Sequence, residues 1–215
     1  MHYVIGDIHG MAGKLSGLYR RISRELADDD TLVFVGDYVD RGPDSFRVIE
    51  LLLELSARHD AVFLKGNHEE LFLDALEGRN REAFLENGGD ATVASYRAAL
   101  GAMRLPEPHE AFYGGLRLYY EADDFVAVHA GLKPNSYNVE TQDPADLLWI
   151  REAFYRHPRR WEKTVIFGHT PSMTLNGRTA VYRDARRNII GIDTGAAYGG
   201  PLSCVRMPDG KSFQY

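Results

Sequence analysis

Three short apolar runs within the first 67 residues constrain the chain more than any other feature. Tyr3 to Ile5 and Leu32 to Val35 are followed at once, and Ala61 to Leu64 after Lys65, by a glycine and then an acid or amide: Gly6-Asp7, Gly36-Asp37 and Gly66-Asn67. Runs this short, bounded by glycine, read as buried strands. Between the first two, Leu15, Leu18, Ile22 and Leu26 recur at helical spacing, and Asp28-Asp29-Asp30 ends that helix. Asp44 is placed to cap a second helix through Val48, Ile49, Leu52 and Leu55. The βαβαβ alternation predicts a parallel sheet with right-handed crossovers.

From residue 69 to about 112 the pattern changes to short helices broken by Gly88-Gly89, Pro106 and Pro108, a helical insertion beside the sheet. Its stripe Leu71, Phe72 and Leu76 is expected in the core. The second half is strand-rich and reads as more antiparallel. Leu116 to Tyr120 and Phe125 to Val128 form a hairpin, and a helix runs from about Ala145 to Tyr155. Strands follow at 165–167, 180–182, 189–192, 203–206 and 212–214, the last two joined by the turn signal Asp209-Gly210.

With 215 residues, the chain is long enough for one sizeable core, and the expectation is a single domain over 1–215. A net charge of −6 gives no support to nucleic-acid binding by bulk charge. The one cysteine, Cys204, excludes an intrachain disulfide and a thiolate metal site, and its apolar strand predicts a buried, inert thiol. No apolar run approaches the ~18 residues of a membrane helix, and the start of the chain lacks a signal-peptide pattern. A cytoplasmic protein with neither a membrane nor a nucleic-acid partner is expected; the oligomeric state stays open.

Five predicted strands end in the same punctuation. These ends are Gly6-Asp7-Ile8-His9-Gly10, Gly36-Asp37-Tyr38-Val39-Asp40-Arg41-Gly42, Gly66-Asn67-His68-Glu69, Val128-His129-Ala130-Gly131 and Gly168-His169-Thr170. Each sets a metal-competent side chain just beyond a carboxyl-terminal strand end, the edge where open α/β sheets bind ligands. In an extended segment Asp7 and His9 project to one side and can hold one ion together. Asp7, His9, Asp37, Asn67, His129 and His169 are six oxygen and nitrogen ligands, suited to Mn²⁺, Fe, Zn²⁺ or Mg²⁺. Six is too many for one open ion and natural for two sharing a carboxylate, the arrangement that activates water and clamps a transferring phosphoryl group.

This motif series resembles that of the PPP-type metallophosphatases of the calcineurin-like phosphoesterase superfamily, especially the short bacterial and bacteriophage lambda type. The resemblance runs from about Gly6 to Gly195. It implies an α/β sandwich of two mixed β-sheets flanked by helices, and dinuclear hydrolysis of phosphomonoesters by in-line attack of a hydroxide. It implies that Asp7, His9 and Asp37 hold one metal and Asp37, Asn67, His129 and His169 the other, with manganese the expected ion. His68 matches the general acid, Asp40 its orienting carboxylate, and Arg41 and Arg151 the phosphate-binding arginines. Alternatives stay open for three of these: Asp40 and Arg41 as a surface ion pair, and Arg151 as a solvated helix residue. Glu69 reads as a helix N-terminal acid rather than a ligand. His2, His59, His109 and His157 have no motif and read as surface or satisfied core residues. Eukaryotic members carry a C-terminal tyrosine near the site; Tyr198 stands nearby in order but in a different motif, and its role stays open.

The expected activity is a phosphoprotein phosphatase acting on phosphoserine and phosphothreonine, with phosphotyrosine left open. The alternative is a hydrolase of dinucleoside polyphosphates such as diadenosine tetraphosphate. In that branch the position of Asp40 is often not acidic, which favours the first. A catalytically silent scaffold should have lost a ligand or the acid, and none is lost.

Overall fold

The structure is a computed structural model that describes residues 1–134, 136 and 138–215. Two five-stranded sheets face each other. The first has the order β10-β9-β1-β2-β3 and the second β4-β5-β6-β8-β7. β1 (His2–Ile5), β2 (Thr31–Phe34) and β3 (Asp60–Phe63) pair in parallel, joined by α1 (Ala12–Ile22) and α2 (Ser45–Ser56), as the alternation of apolar runs predicts. β9 (Ser203–Met207) returns antiparallel to β1, and β10 (Ser212–Gln214) folds back on β9 through Asp209-Gly210.

The inner faces of both sheets form one apolar layer. Val4, Val33, Val35 and Val205 of the first sheet meet Phe125, Ala127, Ile166 and Ile190 of the second. Strands this buried need no polar alternation, which explains their continuous apolar sequence. The outer face of the first sheet packs under α1, α2 and four helices of the insertion: α3 (Asn67–Leu76), α4 (Arg81–Glu86), α5 (Gly89–Leu100) and α6 (Glu107–Gly114). The outer face of the second sheet is covered by α7 (Pro144–Trp149) and α8 (Glu152–Tyr155).

Several expectations need correction. The second sheet is less antiparallel than its sequence suggests. β5 (Phe125–Val128), β6 (Thr164–Phe167) and β8 (Ile189–Gly191) run parallel, and only the edges β4 (Tyr119–Glu121) and β7 (Tyr182–Asp184) are antiparallel. Residues 116–118 lie outside β4, because Arg117 pairs instead with the end of β3 through Phe63 and Lys65. β7 begins two residues late and ends at Asp184, whose carboxylate accepts the amides of Arg186 and Arg187 and starts the turn into β8. α1 stops at Ile22; Leu26 reaches the core from the following turn, where Asp30 binds the chain's first amino group. Asp44 occupies the N-cap position of α2 without a side-chain cap bond. Leu76, the last residue of α3, is 44% exposed, whereas Leu71 and Phe72 are buried as expected. The helix expected from Ala145 to Tyr155 is broken at Ile150 and Arg151.

No helix among the described residues is long and apolar enough to cross a membrane. Cys204 is fully buried in β9, and burial pushes its thiol pKa well up. Native protein should therefore show no fast reaction with a thiol reagent at pH 8 and one reactive thiol after denaturation; rapid labelling of the folded protein would contradict this placement.

Candidate metal centre

All five punctuated strand ends converge at one edge of the sandwich. β1, β2 and β3 deliver Asp7, His9, Asp37 and Asn67 from one sheet; β5 and β6 deliver His129 and His169 from the other. All six are buried. The turns that aim them are strained. His9, Asp37, Asp40, Arg41 and His169 have φ between 47° and 70°, in the left-handed region. Among the described residues only two other non-glycine residues, both asparagines, have positive φ. Such backbone costs about 1–3 kcal/mol per residue and persists where the surroundings enforce it. Gly168 is required by close approach, since a Cβ there would overlap Asp7 Oδ1.

Asp37 is the hub. Its Oδ2 lies 3.4 Å from His9 Nε2, and its Oδ1 lies 3.4 Å from His129 Nε2. One carboxylate thus faces two clusters. Asp37 with His9 and His68, and Asp37 with His129 and His169, each bring three ligand atoms within 4.8 Å of one another. His68 is committed differently from the other histidines, because its Nδ1 bonds Asp40 Oδ2 at 2.7 Å while its Nε2 points back at Asp37, 4.0 Å away.

The donor chemistry fits divalent cations. His9 Nδ1–H donates to the Val39 carbonyl at 2.8 Å and His129 Nδ1–H to the Val35 carbonyl at 2.9 Å, so each Nε2 presents a lone pair. Burial lowers the pKa of His9 to about 3 and of His169 to about 2, so both imidazoles are neutral. Asn67 Oδ1 sits 2.9 Å from His129 Nε2 and 2.8 Å from His169 Nδ1. Two buried atoms, Asp7 Oδ1 and His169 Nε2, have no hydrogen-bond partner at all. Orphaned lone pairs around a buried carboxylate are what a cation satisfies.

The acids state the same need. Burial pushes Asp7 well above the usual carboxylate range, with Asp193 and Asp37 adding like-charge repulsion. Burial acts upward on Asp37 too, but the imidazoles packed round it, His129 and His68 foremost, hold it low. Burial would depress His68; Asp37 and the bond to Asp40 overcome this and raise its pKa, the condition for an imidazolium that donates a proton.

The remaining expected residues fall into place around this centre. Asp40 is buried, so the surface ion-pair alternative fails; its Oδ1 accepts from Thr92 Oγ1 at 2.6 Å, and its backbone N–H donates to the Thr92 and Ser45 hydroxyls. The Arg41 guanidinium reaches His9 Nε2 at 2.5 Å. Arg151 lies in the break between α7 and α8, not within a helix, and its guanidinium approaches the His169 carbonyl at 3.4 Å and Thr170 Oγ1 at 3.5 Å. Glu69 is no ligand. It accepts the amides of Asp37, Tyr38, Val39 and Gly66 and so fixes the turn that carries Asp37. His109 is a satisfied core residue between Tyr96 and Glu50, and His59 bonds Tyr19. His2 packs against Phe125, and His157 is exposed.

Sequence reasoning missed Asp193. It is buried beyond β8, and burial, with Asp37 nearby, raises it to about 6. The signal was present: Ile189 to Ile192 is an apolar run ending in Asp193-Thr194-Gly195, a sixth strand end of the same kind.

The chain belongs to the calcineurin-like phosphoesterase family, whose model matches residues 3–189. It is a metallophosphoesterase, with the two mixed sheets and flanking helices of that fold. Among curated relatives, the asymmetrical bis(5′-nucleosyl)-tetraphosphatase PrpE of Anoxybacillus flavithermus is 28% identical, over 96% of this chain and 90% of the relative. A crystal structure of a candidate diadenosine tetraphosphatase superposes with a TM-score of 0.70 at 26% identity, covering 100% of this chain and 92% of the other. A serine/threonine phosphatase of Saccharomyces cerevisiae shares the fold at a TM-score of 0.64 and 16% identity, covering 100% of this chain and 79% of the other.

Divalent metal should stabilise the protein. At 100-fold Kd the linkage is about 2.7 kcal/mol. Burial keeps protons on Asp7 and Asp193 at higher pH than on free carboxylates, and a cation must displace them, so affinity falls as pH falls. The rise in Tm on adding Mn²⁺ to chelator-treated protein should be clear at pH 7.5 and smaller at pH 5.5; no rise at either pH would oppose a metal centre.

Proposed function

We propose that the chain, acting as one unit over residues 1–215, hydrolyses dinucleoside polyphosphates of the diadenosine tetraphosphate class. The observation that carries this reading is the similarity to named tetraphosphatases over 96% of the chain, combined with an uninterrupted set of site residues. In this reading Asp7, His9 and Asp37 hold one divalent ion and Asp37, Asn67, His129 and His169 a second. Bound there, two ions, with manganese expected, would supply an activated water and a clamp on the phosphoryl oxygens. Arg41 and Arg151, on either side of the centre, grip phosphate oxygens with their planar forks. His68 delivers the Nε2 proton to the leaving oxygen, and Asp40, held by Thr92 and Ser45, fixes the ring through Nδ1.

A phosphoprotein phosphatase is the second reading, and the His68–Asp40 pair favours it. A serine or threonine alkoxide is a poor leaving group and needs a proton; a polyphosphate leaves readily without one. The similarity to tetraphosphatases over 96% of the chain outweighs this one pair and supports the dinucleoside polyphosphate as the first reading.

Two measurements test these readings. The kcat/KM of the metal-loaded enzyme should be higher for diadenosine tetraphosphate than for a phosphoserine peptide, and the opposite order would restore the second reading. His68→Asn should lower kcat about 10²–10⁴-fold on an alkyl phosphate ester with metal content intact, and less on diadenosine tetraphosphate. Unchanged turnover of the alkyl ester would remove His68 from its role as acid.

A further inference from the structure

Two exposed aromatic side chains flank the metal centre, and each accompanies one of its arginines. Trp149 is 39% exposed and lies two residues before Arg151. Its indole N–H donates to Glu70 Oε2 at 2.7 Å, and its ring stands edge-on to His169, with centroids 6.2 Å apart at 82°. Tyr198 is 65% exposed, and the Arg41 guanidinium lies over its ring at 5.4 Å. Its turn, Ala196–Tyr198, is tied down by Lys14, whose ammonium donates to the carbonyls of Ala196 at 2.7 Å and Gly200 at 2.5 Å. Neither ring is a loose surface residue: the first is oriented by a buttressing carboxylate, the second by an anchored turn and a stacked cation.

The two pairs sit on different sides of Asp37. Arg41 contacts His9, which faces Asp37 Oδ2; Arg151 contacts the His169 segment, on the side of Asp37 Oδ1 and His129. Tyr198 and Arg41 thus stand on the His9 side of the centre, and Trp149 and Arg151 on its His169 side. A ligand matching this arrangement has an aromatic head at each end and a polyanion between. A phosphopeptide offers one phosphate and no nucleobase on either side of it.

We propose that Trp149 and Tyr198 are the two base platforms of the substrate site, each stacking one nucleobase of a dinucleoside polyphosphate whose phosphate chain crosses the centre between Arg41 and Arg151. This rests on the proposed function and names the part of the substrate that gives specificity. Base-on-aromatic stacking is sequence-tolerant because every base has a π-face, so the platforms select for two bases without demanding adenine.

The chain has two tryptophans, and the other, Trp161, is buried beneath Arg159. Trp149 is therefore a built-in reporter. Diadenosine tetraphosphate mixed with Mg²⁺-loaded protein should quench tryptophan fluorescence before turnover, while inorganic tripolyphosphate should not. Trp149→Phe should abolish the quench. Tyr198→Ala should raise KM for diadenosine tetraphosphate about tenfold, with the loss mainly in KM, and Tyr198→Phe should restore it. Equal quenching by tripolyphosphate, a quench that survives Trp149→Phe, or an unchanged KM in Tyr198→Ala would overturn the proposal. Hydrolysis of diadenosine tetraphosphate without the Trp149-dependent quench would leave the proposed function standing and remove the platforms. The quench without hydrolysis would do the reverse.

Discussion

The structure is organised around one buried carboxylate. Asp37 sits among imidazoles at the meeting edge of two sheets, excluded from water. An isolated carboxylate there would be prohibitively expensive. Its neighbours answer in two ways. The His68 backbone amide donates to its Oδ1 at 3.1 Å, and Glu69 gathers the amides of the Asp37 turn so that its position is set by backbone hydrogen bonds. The central apolar layer brings the two sheets close enough for His129 and His169 to reach a carboxylate from the opposite sheet. Without that closure there would be two half-sites and no shared ligand.

Much of this was legible in the residues. Apolar runs of three or four residues closed by glycine identified the first three strands, and side chains just beyond them identified the centre, because strand ends are local in sequence and edges are where ligands bind. The motif resemblance supplied the two-sheet layout, which periodicity alone did not. What stayed hidden depends on distant contacts. Thr92 supports Asp40 across 52 residues of chain. Helical spacing continues smoothly through Ile150 and Arg151, so the break that turns Arg151 toward His169 leaves no local trace. Asp193 was hidden for a different reason: its strand end carries the same kind of pattern, but Ile192 rather than glycine stands directly before the acid.

The charge of the whole chain says little about this site. A net −6 suggests poor affinity for polyanions, yet Arg41 and Arg151 stand beside the centre, and the acids clustered there are a cation's ligands rather than a repulsive surface. The groups that matter lie within a few ångströms of one another, inside the screening length of physiological salt.

The left-handed backbone at His9, Asp37, Asp40, Arg41 and His169 places stability and activity in opposition. Glycine would occupy each of these conformations without the Cβ penalty, so selection for folding alone would drift these turns toward glycine and selection for chemistry holds them back. A variant library sorted by heat resistance in the presence of a chelator, where the ligands confer no stability through metal, should therefore accumulate disarmed enzymes at these turns.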